Sequence, residues 1–175
     1  RVLFRSRLAE GTCFLLPVGP GQYGVGLLTR VPARGSVVFG HFFGPRRSNR
    51  PAQEWLTSRL PSQAVFRCRF RDRALYSGDW PTLLVLPGFE RSRWPLPAFH
   101  RYDGSVTATP GGAAIVDWRV EYEDENLITP VSEMPAGPLD LQLDDDTVYD
   151  PGSLVRAIEP RLSFPVPSTD EGGWR

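Results

Sequence analysis

Residues 11–31 read GTCFLLPVGPGQYGVGLLTRV, and no other stretch of the chain is as apolar or as sharply bounded. Phe14, Leu15, Leu16 and Val18 precede a Gly19-Pro20-Gly21 reversal, and Tyr23, Val25, Leu27 and Leu28 follow it. Glycine reaches positive φ without steric cost, so this turn chemistry closes a β-hairpin between the two runs. The stretch predicts the first hairpin of an all-β core onto which later strands pack. Gly19, Gly21 and Gly24 also fit the pattern G-x-G-x-x-G. That fingerprint holds a pyrophosphate only where the turn opens a helix. Val25, Gly26 and Thr29 disfavour a helix here. No acidic residue stands about 20 positions on, where a ribose would need one. The motif is therefore read as a hairpin turn.

The later segments extend the same reading. Residues 37–43 (VVFGHFF) predict a third strand. Residues 64–76 alternate, with Phe66, Cys68 and Phe70 on one face and Arg67, Arg69, Arg71 and Arg73 on the other. Residues 80–86 predict a further strand. Residues 113–123 alternate again, setting Val116, Trp118, Val120 and Tyr122 against Asp117, Arg119, Glu121 and Glu123. Short helices are expected over 51–60 and 151–159, the second with Asp150 as N-cap and Leu154, Val155 and Ile158 inward. Residues 103–112 read as a polar loop. With 18 Pro and 17 Gly, the chain suits short strands joined by many turns. The predicted fold class is mainly β: an antiparallel, barrel-like sheet, SH3-like or similar, with one or two short helices. Residues 1–128 are expected to form the β-rich domain. Residues 129–175 are expected to pack on it as an elaboration ending in a frayed tail.

Chemistry-bearing constellations are sparse. Cys13 and Cys68 lie in apolar or alternating runs, with no C-x-x-C and no Cys/His cluster, so buried reduced thiols are expected and no zinc site. His41 sits in an apolar strand and His100 follows Phe99. A pairing of Cys13 with either histidine would need long-range folding and an electropositive pocket. Asp144, Asp145, Asp146 and Asp150 suggest calcium, but Val148 occupies the third ligand position and no glycine follows. A solvated acidic turn is the simpler expectation. The chain is thus read as a non-enzyme without cofactor or metal. No apolar run reaches membrane-spanning length, and the expected compartment is the cytoplasm.

Charge is distributed unevenly. Residues 1–101 carry sixteen Arg and five acids, residues 102–175 four Arg and fifteen acids, and there is no Lys. The two halves either neutralise each other in the fold or present opposed faces to partners. The simplest expectation pairs the Arg67/Arg69/Arg71/Arg73 stripe with Asp117, Glu121 and Glu123 on a neighbouring strand. The alternative is partner binding by one of the stripes. Nucleic acid is the disfavoured partner, because Phe66 and Phe70 point inward and leave the arginine face without stacking aromatics.

Four segments then carry a resemblance. EGTCFLLPVGPGQYGVGLLTRV, SGDWPTLLVLP, RWPLPAFHRYD and DWRVEYEDENL follow one another in the order found in the bacterial immunity protein 26 family, which the chain resembles over about residues 8–128. The resemblance implies an all-β, barrel-like cytoplasmic protein that neutralises a cognate toxin of interbacterial competition. Many such toxins are basic nucleases, and an acidic face gives steered association with them. Asp117, Glu121, Tyr122, Glu123, Asp124 and Glu125 are accordingly the candidate toxin-binding residues. The alternative is a nucleic-acid- or ligand-binding barrel that uses the Arg67/Arg69/Arg71/Arg73 face.

Overall fold

A computed structural model describes residues 8–163. The opening hairpin forms as expected: β1 (Thr12–Gly19) and β2 (Gln22–Arg30) pair antiparallel, with Gly19 opposite Gln22 across the turn. Gly21 takes a φ of +65° there, which a side chain would disfavour. Gly26 is required for a different reason. A Cβ on it would sit 2.1 Å from Phe14 Cζ, so the missing side chain makes room for the Phe14 ring. That ring stacks on Trp80 with centroids 5.9 Å apart and meets Phe42 edge-on at the same distance. Burying a phenylalanine this fully contributes roughly 1.5–3 kcal/mol.

The hairpin lies within a six-stranded sheet that also contains β3 (Val37–Arg47), β4 (Phe66–Arg71), β5 (Thr82–Val85) and β10 (Val148–Tyr149). Its order is β10-β4-β3-β2-β1-β5. Both faces are covered, which is why β2 and β3 are near-continuous apolar runs rather than alternating ones. On one face Phe14, Leu16, Leu28, Phe42 and Phe70 meet Ala74 and Leu75 of α2 (Arg73–Ser77) and Leu154 and Ile158 of α3 (Pro151–Ile158). On the other, Cys13, Leu15, Leu27 and Phe43 meet Leu56 of α1 (Gln53–Thr57) and Trp94. Asp150 precedes α3 in extended conformation, but its side chain makes no capping hydrogen bond.

A second sheet has the order β8-β7-β6-β9: β6 (Phe99–Thr109), β7 (Gly112–Glu121), β8 (Ser132–Pro135) and β9 (Asp144–Asp145). The mainly β class holds, but the sheets do not close into a barrel. Closure requires the two edge strands to pair with each other. Here the edges of the larger sheet are β5 and the two-residue β10, and they lie at opposite ends of the strand order. Both sheets are mixed, because β10 runs parallel to β4 and β9 parallel to β6. There are three short α-helices among the described residues rather than one or two. Residues 103–112 belong to the β6–β7 hairpin instead of a loop, and their glycines accommodate its turn and a register shift between Tyr102 and Val106. The strand expected over 64–76 stops at Arg71, and Arg73 stands in α2. The tail expected to fray lies outside the described residues. Among those residues, no helix is long and apolar enough to cross a membrane.

Residues 144–149 tie the sheets together. They pair first with β6 and then with β4, so one short strap is hydrogen-bonded to both. Asp146 stands in the middle of this strap. Its backbone N–H donates to His100 O at 2.7 Å, and its carboxylate accepts from the Arg69 guanidinium and from Tyr122 Oη at 2.8 Å. Arg69 also donates to Leu127 O at 2.7 Å and lies 4.0 Å from the centroid of the Tyr122 ring. The side chains of Arg69 and Asp146 are only 4% and 3% exposed. Beside them Phe39 of β3 meets Phe99 of β6 edge-on, and Leu127 is buried against both strands. Asp146 thus belongs to an internal clamp rather than to a solvated turn, while Asp145 and Asp150 of the same acidic run are exposed. Removing one partner of a buried ion pair leaves the other charged and unpaired, at a cost of about 3–5 kcal/mol. D146A is expected to lower the urea-unfolding free energy by that amount, and R69M/D146L by distinctly less. A loss under about 0.5 kcal/mol in D146A would contradict the clamp.

Candidate partner-binding site

The turn that follows β7 gathers most of the acidic candidates. Glu123 and Asn126 form an isolated antiparallel bridge, and Asn126 Oδ1 accepts from the N–H groups of Ile128 and Thr129 at 3.1 and 3.0 Å. Leu127 plugs into the junction of the sheets directly after the turn. The turn is therefore anchored by a buried side chain and by its own backbone bonds. Glu123 and Glu125 are exposed, while Tyr122 and Asp124 are half-buried.

Two arginines from earlier in the chain hold this turn from below. Arg30, buried at the end of β2, donates through Nε to Asp124 and through Nη1 to Thr29 O at 2.6 Å. Arg91 binds Glu10 through Nε at 3.0 Å and Nη2 at 2.6 Å, reaches Glu125 at 2.8 Å and lies 3.6 Å from Asp124. The hydrogen bonds that Arg91 donates to Glu10, then to Glu125, push its pKa above the ordinary value. Arg30, Arg91, Leu96, Tyr122 and the three acids 123–125 enclose an open concavity of about 530 Å³. Glu123, Asp124 and Glu125 outnumber the two arginines in this lining, so the concavity is net acidic.

The other candidates are placed differently. Tyr122 is engaged in the clamp through its hydroxyl and its ring, and burial followed by the Asp146 hydrogen bond pushes its pKa up to about 12. Glu121 accepts from Arg119 at 2.8 and 3.1 Å, and Arg119 also binds Asp140 at 2.9 Å. Asp117 faces His100 at 2.9 Å. Asp117 and Glu121 thus stand apart from the concavity that Tyr122, Glu123, Asp124 and Glu125 share.

The arginine stripe does not form one open face. Arg67 pairs with Asp144 at 2.8 Å, Arg69 is buried against Asp146, and Arg71 lies 3.7 Å from Asp150. Arg73 is exposed on α2. The pairing expected with Asp117, Glu121 and Glu123 does not occur, because β7 belongs to the other sheet and the neighbours of β4 are β3 and β10. A signal for the true partners was present: Asp144 and Asp146 repeat the two-residue spacing of Arg67 and Arg69. Burial pushes the Asp144 pKa up, against the opposing pull of Arg67.

The residues weighed for catalysis are internal. Cys13 and Cys68 are buried free thiols. Burial raises the Cys13 pKa to about 12 and also pushes Cys68 up. A thiol held this firmly protonated is a poor nucleophile. His41 shares a hydrogen bond with Thr29 Oγ1 at 3.2 Å and meets Trp94 edge-on, with ring centroids 4.9 Å apart. Among the described residues no group of three or more His, Cys, Asp or Glu is placed to hold a metal ion.

Against known proteins, the family model described as Immunity protein 26 matches residues 9–109, more than half of the chain. The match runs from the start of the hairpin to the end of β6. It takes in the first three segments of the resemblance and stops before DWRVEYEDENL. No curated protein matches the chain, and no solved structure does.

His41 supplies a pH test of this interior. Burial, reinforced by Arg67 and Arg30, lowers its pKa from 6.5 to about 3, so the folded state holds it neutral. Below pH 6.5 the unfolded chain takes up the proton first. Stability is therefore full above that pH and falls as the pH drops toward 3. Between pH 7 and 4.5 the histidine is expected to remove roughly 2–3 kcal/mol. Urea unfolding of H41F should show a pH slope shallower by that amount, and parallel slopes would contradict the assignment.

Proposed function

The chain belongs to the immunity protein 26 family, and from that premise we propose that it binds a cognate bacterial toxin and neutralises it by occlusion through its acidic turn. The observation that carries this reading is the net-acidic concavity at residues 122–125, fixed in place before any partner arrives. Arg30 is buried and Arg91 is shared among three carboxylates, so Asp124 and Glu125 are already ordered. A pre-ordered surface loses less conformational freedom on binding. The exposed Glu123 and Glu125 give a field that speeds encounter with a basic partner such as a nuclease. Occlusion asks for no chemistry, which suits thiols held protonated and a histidine held neutral in the core. The inhibitor would act in the cytoplasm of the cell that carries the toxin. Within the family-matched residues lie the hairpin and most of the larger sheet, while the acidic turn follows them. A shared scaffold with a separate edge for one particular toxin is consistent with that division.

The nucleic-acid alternative is less well supported. Three of the four arginines on that face are engaged by Asp144, Asp146 and Asp150, and phosphate binding would have to displace them. The test uses E123K/E125K, which reverses two exposed charges and leaves Asp124 and the clamp intact. Against its cognate toxin, the variant is expected to bind at least about tenfold more weakly, mainly through a slower association rate. Protection on co-expression should fall accordingly. Wild-type affinity and full protection in a normally folded variant would reject the acidic turn as the binding face.

A further inference from the structure

β3 ends in two arginines with different surroundings. Arg46 donates to the backbone carbonyls of Leu162 and Glu159 and lies 3.7 Å from the Glu159 carboxylate. Arg47 faces no carboxylate among the described residues. Its guanidinium carbon lies 4.2 Å from the centroid of the Trp55 ring, and the guanidinium carbon of Arg59 lies 4.2 Å from the same ring. Arg47 Nε is buried and makes no hydrogen bond among the described residues. Arg59 donates to Trp55 O at 3.0 Å and to Ser58 Oγ at 3.1 Å, neither of which is charged. Burial, followed by the charge of Arg59, lowers the Arg47 pKa. Two cations thus share one indole, with no anion paired to either among the described residues.

Arg59 also stands on the wall of a cleft of about 390 Å³. Leu60, Leu86, Phe89 and Trp94 supply its apolar lining, and Leu60 is 57% exposed. On the rim Arg93 is already paired with Glu90 at 3.2 Å, so the unbalanced charge is that of Arg47 and Arg59. The ligand that complements this arrangement carries a carboxylate beside a bulky apolar side chain. A guanidinium meets a carboxylate through two parallel hydrogen bonds. Stacking on Trp55 orients both guanidinium groups beforehand and lowers the entropy lost on binding. A nucleic acid fits less well. Its bases would need an open aromatic face, and Trp55 already carries two guanidinium groups.

We propose that this cleft docks an acidic-apolar segment of a partner protein, with Arg59 on its wall binding the carboxylate, Arg47 on the same Trp55 ring adding to the positive field, and the lining from Leu60 to Trp94 taking its apolar side chain. The surface has the opposite sign to the acidic turn, and the inference does not depend on that turn binding a toxin. The test titrates the full chain with a fluorescein-labelled peptide, Gly-Glu-Phe-Asp-Leu-Gly, followed by anisotropy. Controls are the same peptide with Gln and Asn for its acids, and a short oligothymidylate. The acidic peptide is expected to bind at least about tenfold more tightly than the amide peptide, a difference of about 1.4 kcal/mol. R47M/R59M and the milder R59Q should each lose binding, L60S should weaken it, and R73A should bind as the wild type does. Equal binding of the two peptides, tighter binding of the oligothymidylate, or wild-type affinity in folded R59Q would overturn the proposal. A D170N/E171Q variant tests whether the chain's own acids compete. Peptide binding seen only in that variant would mean that the cleft is not open to a partner.

Discussion

The Arg69–Asp146 pair is the contact on which the arrangement of the two sheets depends. Taking both charges out of water costs several kcal/mol per ion, so the pair is tolerable only where other groups compensate the lost hydration. Leu127 O and Tyr122 Oη do this through hydrogen bonds, and the Tyr122 ring and the Arg101 guanidinium through electrostatic contact, while Arg69 Nε makes no hydrogen bond among the described residues; these groups come from β6 and from the segment that follows β7. The pair therefore requires that β4, the strap at 144–149 and the second sheet meet at one point. Phe39 and Phe99 supply apolar burial beside it, but apolar contact alone would leave the relative placement of the sheets weakly specified.

The same logic runs through the rest of the charge pattern. Basic residues from the first part of the chain find acids from the second: Arg30 with Asp124, Arg67 with Asp144, Arg71 with Asp150, Arg91 with Glu125 and Arg101 with Glu133. Exposed pairs of this kind contribute little stability individually. Their effect is on orientation, and on which charges remain unbalanced. Two places stand out among the described residues: the acidic turn at 122–125 and the Arg47–Trp55–Arg59 group. Both lie outside the buried residues of the three core clusters.

The hairpin, the six-stranded sheet's main strands and α3 were legible in the sequence because each is a local pattern: two apolar runs around a Gly-Pro-Gly turn, a period of two in β4, and Leu154 and Ile158 four residues apart behind Pro151. The β6–β7 hairpin was not, because Gly104, Pro110, Gly111 and Gly112 look like loop composition although they belong to strand ends and a turn. The clamp was not legible either. Arg69 reads as solvent-facing from alternation alone, and only the parallel pairing of β10 with β4 buries it. The acidic turn was found from charge and position. The concavity around it was not, because Arg30 and Arg91 come from segments about 90 and 30 residues away.

Under the proposed function, residues 122–125 form the toxin-facing edge while β4 belongs to the internal clamp. Amide hydrogen exchange on the chain, free and bound to its cognate toxin, separates the two roles. Exchange is expected to slow on binding at residues 122–125, with β4 and α2 unchanged. Protection confined to residues 67–77, with none at the acidic turn, would contradict it.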